Sequence, residues 1–323
     1  MADPGSIAET LRRHPSIRGK LAIGRAFAQL ELGQASTGRP GDDAAILTRD
    51  GGYDLLAGEG FIPRFVADDP WFSGWCAVMV NVSDIAAMGG RAVALVDQVW
   101  ASSEAEAAPM MAGMAAASKA YGVPIVGGHT NYGAAGLNLA ATIFGRATAL
   151  ITSFDAKPGD LLIAAIDHRG AYRNFDNFFA AGDAPHARLR GDLELLPQLA
   201  EARLVKAGKD ISQGGIAGTA LMLAESSGVG ITIDLDRIVP PHGAELERWL
   251  RSFPSFGFLL SVDPGDEATV ISSFAERGIT AATIGAVTSG SAVNFSSGRN
   301  EAVFWDWRSN PYLKSELNEA AHA

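Results

Sequence analysis

Two carboxylates stand side by side, Asp42 and Asp43, in Gly41-Asp42-Asp43-Ala44-Ala45, just ahead of an apolar run. Adjacent acids repel unless a cation or a donor lies between them. One acid is enough to start an Asx-type turn before a strand, so local structure leaves the second unexplained. Further acids lie beside glycine corners. Asp84 is in Asn81-Val82-Ser83-Asp84-Ile85-Ala86-Ala87-Met88-Gly89-Gly90, and Asp210 is in Lys209-Asp210-Ile211-Ser212-Gln213-Gly214-Gly215. Between them lies Val126-Gly127-Gly128-His129-Thr130. Acids of this kind suit Mg²⁺ holding a polyphosphate. The metal takes hard oxygen ligands, and glycine lets backbone N–H groups approach phosphate oxygens.

Each candidate has a plainer explanation to set beside the chemical one. Asn81 and Asp84 are three apart on a helix expected over Pro70 to Met88, so they share a face. A solvated helix edge would account for them, but the helix dipole opposes an acid in the last turn, and a nearby cation relieves this. Gly127 and Gly128 are expected to turn the chain after a strand at Val123 to Val126. His129 then stands as a hydrogen-bonding residue, a phosphate donor or a general base, with a purely structural histidine as the alternative. Asp210 precedes a helix expected over Gly215 to Ser227, with Ser212 or Gln213 as its cap. Free N–H groups at such a helix start accept anions, and Asp210 beside it is a metal ligand or a proton acceptor if it is not simply part of a capping loop. Glu59, between Gly58 and Gly60 at a strand end, is a further candidate ligand. Cys76 falls on the apolar stripe of its helix and reads as a core residue.

The elements that must position these groups alternate along the chain. Helix is expected over Ile7 to Leu32 and Ser103 to Tyr121, and a Gly/Ser/Thr/Pro-rich loop over Gly33 to Gly41. Strands are expected at Ala44 to Thr48, Tyr53 to Ala57, Arg91 to Trp100 and Leu137 to Gly145. The turn Asp155-Ala156-Lys157-Pro158-Gly159-Asp160 starts a new unit. This gives two domains, 1–150 and 151–306, and a mobile tail over 307–323. In the second, a loop-rich stretch over Asp167 to Gly191 carries Tyr172, Arg173, Asn174 and Phe175 as substrate-side candidates. Helices follow over Asp192 to Ala207 and Gly215 to Ser227. The last elements are strand, helix, strand, helix and a final strand at Thr280 to Val287. The mixture defines an α+β, or mixed α/β, fold class.

Composition narrows the function classes. A net charge of −10 argues against a nucleic-acid or anionic-membrane surface. Hydrophobic residues at 47% provide for a substantial core rather than a disordered chain. The one cysteine forms no internal disulfide and fits a cytoplasmic setting, and no apolar run is long enough to span a bilayer. Neither a P-loop nor a Gly-x-Gly-x-x-Gly fingerprint is present, so any nucleotide is held by another scaffold.

In this order the segments resemble the superfamily of aminoimidazole ribonucleotide (AIR) synthetase, thiamine-monophosphate kinase, selenophosphate synthetase and the hydrogenase-maturation carbamoyl dehydratase. The resemblance runs from about Gly41 to Gly290. The first half is most similar to thiamine-monophosphate kinase, through Gly41-Asp42-Asp43-Ala44-Ala45 and Asn81-Val82-Ser83-Asp84-Ile85-Ala86-Ala87-Met88-Gly89. Asp210-Ile211-Ser212-Gln213-Gly214-Gly215 resembles the superfamily's Asp-Ile-Ser-Asp-Gly-Gly, and Ile284-Gly285-Ala286-Val287 its Ile-Gly-x-Val. The resemblance implies a two-domain AIR synthetase-like fold. Its N-terminal strands would pair across a homodimer, and its larger C-terminal domain would be α/β.

It also implies ATP as cofactor, with Mg²⁺ held by Asp42, Asp43 and Asp84, Glu59 standing in for an acid the kinase carries nearby, and Asp210 facing the transferred phosphoryl group. Asn81, Gly127, Gly128, Thr130, Gly214 and Gly215 are then the nucleotide-side candidates, and His129 a catalytic one. The chain departs from the kinase pattern at His129 and Gln213, where the family carries aspartates, and lacks the kinase's His-Phe pair. The expected activity is ATP- and Mg²⁺-dependent phosphoryl transfer to a small-molecule acceptor. The alternatives are a nucleotide-binding or maturation scaffold without turnover, and thiamine-monophosphate kinase itself.

Overall fold

The computed structural model describes residues 2–32 and 38–313. They divide into two units, neither of them one continuous stretch of chain. One comprises Asp43–Leu150 and Ala181–Glu201; the other comprises the described residues of 1–42, Ile151–Ala180 and those of 202–323.

The first unit is built on a five-stranded sheet of β1 (Ala45–Arg49), β2 (Gly52–Gly60), β3 (Arg91–Trp100), β4 (Ile125–Asn131) and β5 (Asn138–Ala147), in the order β1-β2-β5-β3-β4. Only β3 and β4 run parallel. In β5, Leu139, Ala141, Ile143 and Gly145 are buried, and the residues between them are only partly covered. This period of two marks a sheet packed on one face. The packing partner is the helix Pro70–Ala87. It opens with Asp69 accepting from the Phe72 N–H at 3.1 Å and is buried from Phe72 onward. Its polar residues are therefore not on a solvated edge: Asn81 and Asp84 are both buried.

The helix Glu104–Tyr121 packs against it through two glycines. A Cβ at Gly74 would lie 1.9 Å from the Met110 carbonyl oxygen, and one at Gly113 would lie 1.9 Å from that of Trp71. The segment 181–201 docks here through Arg91, which binds Glu194 and Glu201, each at 2.6 Å. Where one helix is expected over Asp192 to Ala207, the chain forms two, His186–Leu193 and Leu195–Glu201. Pro197 has no N–H to bond the carbonyl of Leu193, so the first helix cannot run on.

The second unit centres on a seven-stranded mixed sheet of β6 (Leu161–Ile166), β9 (Ala207–Asp210), β10 (Gly230–Asp234), β12 (Gly257–Val262), β13 (Thr280–Thr288), β14 (Ala292–Ser297) and β15 (Asn300–Asp306). Its order is β15-β14-β10-β13-β6-β12-β9. β12 is buried throughout, as a strand covered on both faces must be. The helices Pro4–Arg13 and Gly215–Ser227 contribute Ala8, Leu11, Ile216, Ala220 and Leu223 to its core. Within the expected loop-rich stretch the chain forms β7 (Ala171–Tyr172) and β8 (Asn177–Phe179), which join the remote β11 (Phe253–Pro254) in a small sheet.

The β14–β15 hairpin goes beyond the expected strands, which end at Val287. Its marks are alternating Val293 and Phe295 and a turn at Gly298 in the left-handed region. The mobile tail is overturned through Leu313. Trp307 Nε1 donates to the Val229 carbonyl at 2.9 Å, and Tyr312 is buried with its hydroxyl donating to the Ile17 carbonyl at 2.6 Å. Residues 314–323 of that tail, and 33–37 of the expected N-terminal loop, lie outside the described residues.

Candidate functional site

The adjacent acids take different places. Asp42 belongs to the second unit, where its carboxylate accepts from the Ser153 N–H at 2.8 Å and from Ser153 Oγ at 2.5 Å. The carbonyl of Ser153 in turn accepts from Ser227 Oγ at 2.7 Å. Asp42 thus ties its loop to the turn before β6. Asp43 is half-buried at the entry to β1, and Asp84 is buried in the last turn of the helix Pro70–Ala87. Within the first unit they bring one carboxylate oxygen each to within 4.8 Å of the other. At an effective permittivity of ~20, like charges at such a separation repel by about 3 kcal/mol. The helix C-terminus adds its own negative pole.

Asn81 lies one turn before Asp84 on the same face and is fully buried. Its Nδ2 donates to the Ala77 carbonyl at 2.8 Å, while Oδ1 has no hydrogen-bond partner among the described residues. An orphaned buried acceptor costs about 1–3 kcal/mol. Two carboxylates and an amide oxygen are hard donors, the kind Mg²⁺ or Ca²⁺ selects over softer metals.

The glycine turn expected at Gly127-Gly128 is strand instead, because β4 runs through it from Ile125 to Asn131. Glycine is required there for another reason. A Cβ at Gly128 would lie 2.4 Å from Asp97 Oδ1, so the Asp97 side chain occupies that space. Asp97 pairs with Ala141, which pairs with Glu59, so the two acids flank a small residue on one sheet face. Burial holds the Asp97 carboxyl above the usual carboxylate range. Glu59 is exposed. His129 pairs with Gln98, one residue along, and so lies on the face opposite Asp97, away from the helix that carries Asp84. Thr130 is opposite Val99.

In the second unit Asp210 ends β9 as a buried carboxylate, and its carbonyl accepts from Thr219 Oγ1 at 3.3 Å. Neither expected cap serves the helix Gly215–Ser227. It starts from Gly214 at φ +100° with no side-chain cap, and Gly215 is also left-handed at φ +64°. Gly215 is obligatory, since a Cβ there would meet the Arg251 backbone at 2.4 Å. Ser212 Oγ instead accepts from Lys20 Nζ at 3.0 Å, across 192 residues of sequence.

Sequence reasoning passed over two residues here. Asp97 had a signal, an acid interrupting the apolar run of β3. Lys20 had none, since its partner is remote in sequence.

A two-unit mixed α/β protein in which a half-buried acid at a strand entry meets a buried acid at a helix end is thus the class that fold and site define. Sequence models of the AIR synthase related protein N-terminal and C-terminal domains match residues 41–147 and 170–296. The chain belongs to this AIR synthase-related family. An uncharacterised protein of Synechocystis sp. is 47% identical over 289 residues, covering 89% of this chain and 90% of its own. The solved structure of T. maritima PurL complexed with FGAR superimposes with a TM-score of 0.74 at 17% identity, covering 92% of this chain. The chain spans about half, 52%, of that PurL chain. AaThiL complexed with AMPPCP and TMP gives a TM-score of 0.66 at 17% identity, covering 88% of this chain and 98% of its own. These likenesses establish the shared two-domain fold.

Proposed function

We propose that this protein catalyses ATP- and Mg²⁺-dependent phosphoryl transfer to a small-molecule acceptor. The observation that carries this reading is the approach of Asp43 to Asp84 within 4.8 Å, one helical turn from the orphaned Asn81 oxygen. A divalent cation between two such carboxylates relieves their repulsion. Asp43 and Asp84 would hold Mg²⁺, with Asn81 accepting from its water shell. The metal, when bound, would neutralise charge on the phosphate chain. Relatives with the same fold were solved with ATP analogues, among them the AaThiL structure with AMPPCP, which supports a nucleotide here.

In this reading Asp210 faces the transferred phosphoryl group, and Gly214 and Gly215 open the backbone beside it. Gly127, Gly128 and Thr130 line the nucleotide side with Glu59. Asp42 serves as an anchor, and His129 takes no part in the acid group. We further read the protein as a cytoplasmic homodimer that pairs through the uncovered face of the five-stranded sheet. Its one cysteine is buried and in no disulfide, and no helix among the described residues is long and apolar enough to cross a membrane.

The test is calorimetric titration with AMPPCP in Mg²⁺ and in EDTA, followed by ADP release with a panel of acceptors. Binding should depend on Mg²⁺ and be lost in Asp43→Asn. Equal affinity with and without the metal would sink the assignment.

A further inference from the structure

We infer that Lys20 is a substrate-binding residue that takes an anionic oxygen of the acceptor, and that Tyr312 is the positioning residue that holds it in place. The inference rests on the phosphoryl-transfer reading and adds to it the substrate class: an acceptor bearing a phosphate or carboxylate.

Lys20 sits on a one-turn 3₁₀ segment, Gly19–Leu21. It lies in a stretch, residues 10–30, with five cationic side chains (Arg12, Arg13, Arg18, Lys20 and Arg25) and no acidic one, in a protein of net charge −10. Arg18 and Arg25 are exposed, while Lys20 is half-buried and reaches the loop that follows Asp210. Its ammonium donates to Ser212 Oγ at 3.0 Å and touches Met222 Sδ at 3.5 Å. Ser212 is two residues from Asp210, so the local cation of this segment is brought beside the loop that also carries the proposed phosphoryl-facing acid. A lysine there is a compact point charge with three N–H donors, suited to an anionic oxygen whose direction of approach is not fixed in advance.

The segment is locked from the far end of the chain. The Tyr312 hydroxyl donates to the Ile17 carbonyl at 2.6 Å, three residues before Lys20. The N–H groups of Tyr312 and Leu313 both donate to Glu225 Oε2, at 3.0 and 2.8 Å, and Glu225 is buried in the helix that begins at Gly215. Ile17 in turn packs on Gly214 and Gly218, where an added Cβ would meet its Cδ1 at 3.4 and 3.3 Å. Ile17 and the segment at Tyr312 and Leu313 are thereby clasped onto one helix and the loop in front of it. Burial holds the Tyr312 phenol well above its ordinary range, so it stays a neutral donor to Ile17.

The experiment uses the full chain and its Lys20→Met, Lys20→Arg and Tyr312→Phe variants. Each is titrated with Mg–AMPPCP alone, then with inorganic phosphate in the presence of saturating Mg–AMPPCP. Lys20→Met should weaken phosphate binding about 10-fold or more, the usual consequence of losing one charge-assisted bond, and leave Mg–AMPPCP affinity within about two-fold. Lys20→Arg should restore most of the phosphate binding, which a purely structural role for the lysine would not require. Tyr312→Phe should lower the melting temperature and weaken phosphate binding less than Lys20→Met does.

Unchanged phosphate binding in Lys20→Met, or none in the wild type, overturns the inference. An equal loss of Mg–AMPPCP binding in Lys20→Met also overturns it, because Lys20 would then belong to the nucleotide. Failure of the wild type to bind AMPPCP in a Mg²⁺-linked way is a separate result that sinks the function, while the phosphate arm still reads Lys20.

Discussion

Asp42 and Asp43 are neighbours in sequence and opposites in role, and mutation should separate them. Asp42→Ala removes the acceptor of two bonds from Ser153 and leaves a backbone N–H without it. It should cost roughly 2–3 kcal/mol in urea unfolding. Asp43→Asn removes one of two like charges and should leave stability unchanged or slightly raised, while abolishing the Mg²⁺-linked part of nucleotide affinity. If Asp42→Ala abolishes metal linkage and Asp43→Asn does not, the roles are reversed. Asp97 gives a pH test. Burial raises its folded carboxyl above the ordinary carboxylate value of 3.8, so folding takes up protons and the charged form is destabilising. The penalty is fully present above the folded pKa and fades as pH falls through it towards the unfolded value. Asp97→Asn should therefore raise the melting temperature at pH 7, with a gain that shrinks towards pH 4. A gain independent of pH would mean that charge is not the cause.

At the scale of elements, the helices Pro70–Ala87 and Glu104–Tyr121 matter because the first carries Asn81 and Asp84. Their axes come close because Gly74 and Gly113 each face the other helix's backbone. Gly113→Ala puts a methyl where the Trp71 carbonyl stands, and neither helix backbone can yield locally. Destabilisation should reach at least the ~1–3 kcal/mol usual for overpacking, with loss of Mg²⁺-linked binding, checked by urea titration of the variant. Stability equal to the wild type would show that the helices slide apart freely.

This is also the scale at which the sequence was most and least informative. The helix with Asp84 was legible because the Asn81–Gly90 run is contiguous and its apolar spacing unbroken. The acid pair was legible as a pair, but not which member meets Asp84, because the Asp42–Ser153 bond spans 111 residues. The Gly127-Gly128 strand was hidden because glycine signals a turn locally, whereas here it accommodates a side chain on the next strand. The break before Pro197 was readable from proline alone. The Tyr312 clasp was not, since nothing near residue 312 names residue 17 or 225.

For the whole molecule, the open question is what covers the far face of the five-stranded sheet. Leu47 and Leu56 are exposed there, with Phe144, Thr142 and Val96 beside them on the paired strands. A sheet with one wet face normally alternates apolar with polar residues. Here the outward positions of four adjacent strands are largely apolar, bordered by Asp54 with Arg49 and Arg146. A second copy can bury this patch about a two-fold axis, so that Leu56 counts twice. At about 2 kcal/mol for each buried leucine, replacing both would weaken the dimer by roughly 700-fold. Leu56→Glu adds two buried charges to that loss, so sedimentation velocity should show a dimer for the wild type and a monomer for the variant, with equal helix content by circular dichroism. Each copy carries a charge of −10, so the copies repel at long range. Apolar contact must overcome that repulsion, and added salt should therefore tighten the dimer by screening it rather than loosen it. Dissociation by salt would mean that ion pairs, not this apolar face, hold the copies together, and a wild-type monomer at every concentration would leave the face without the partner proposed for it.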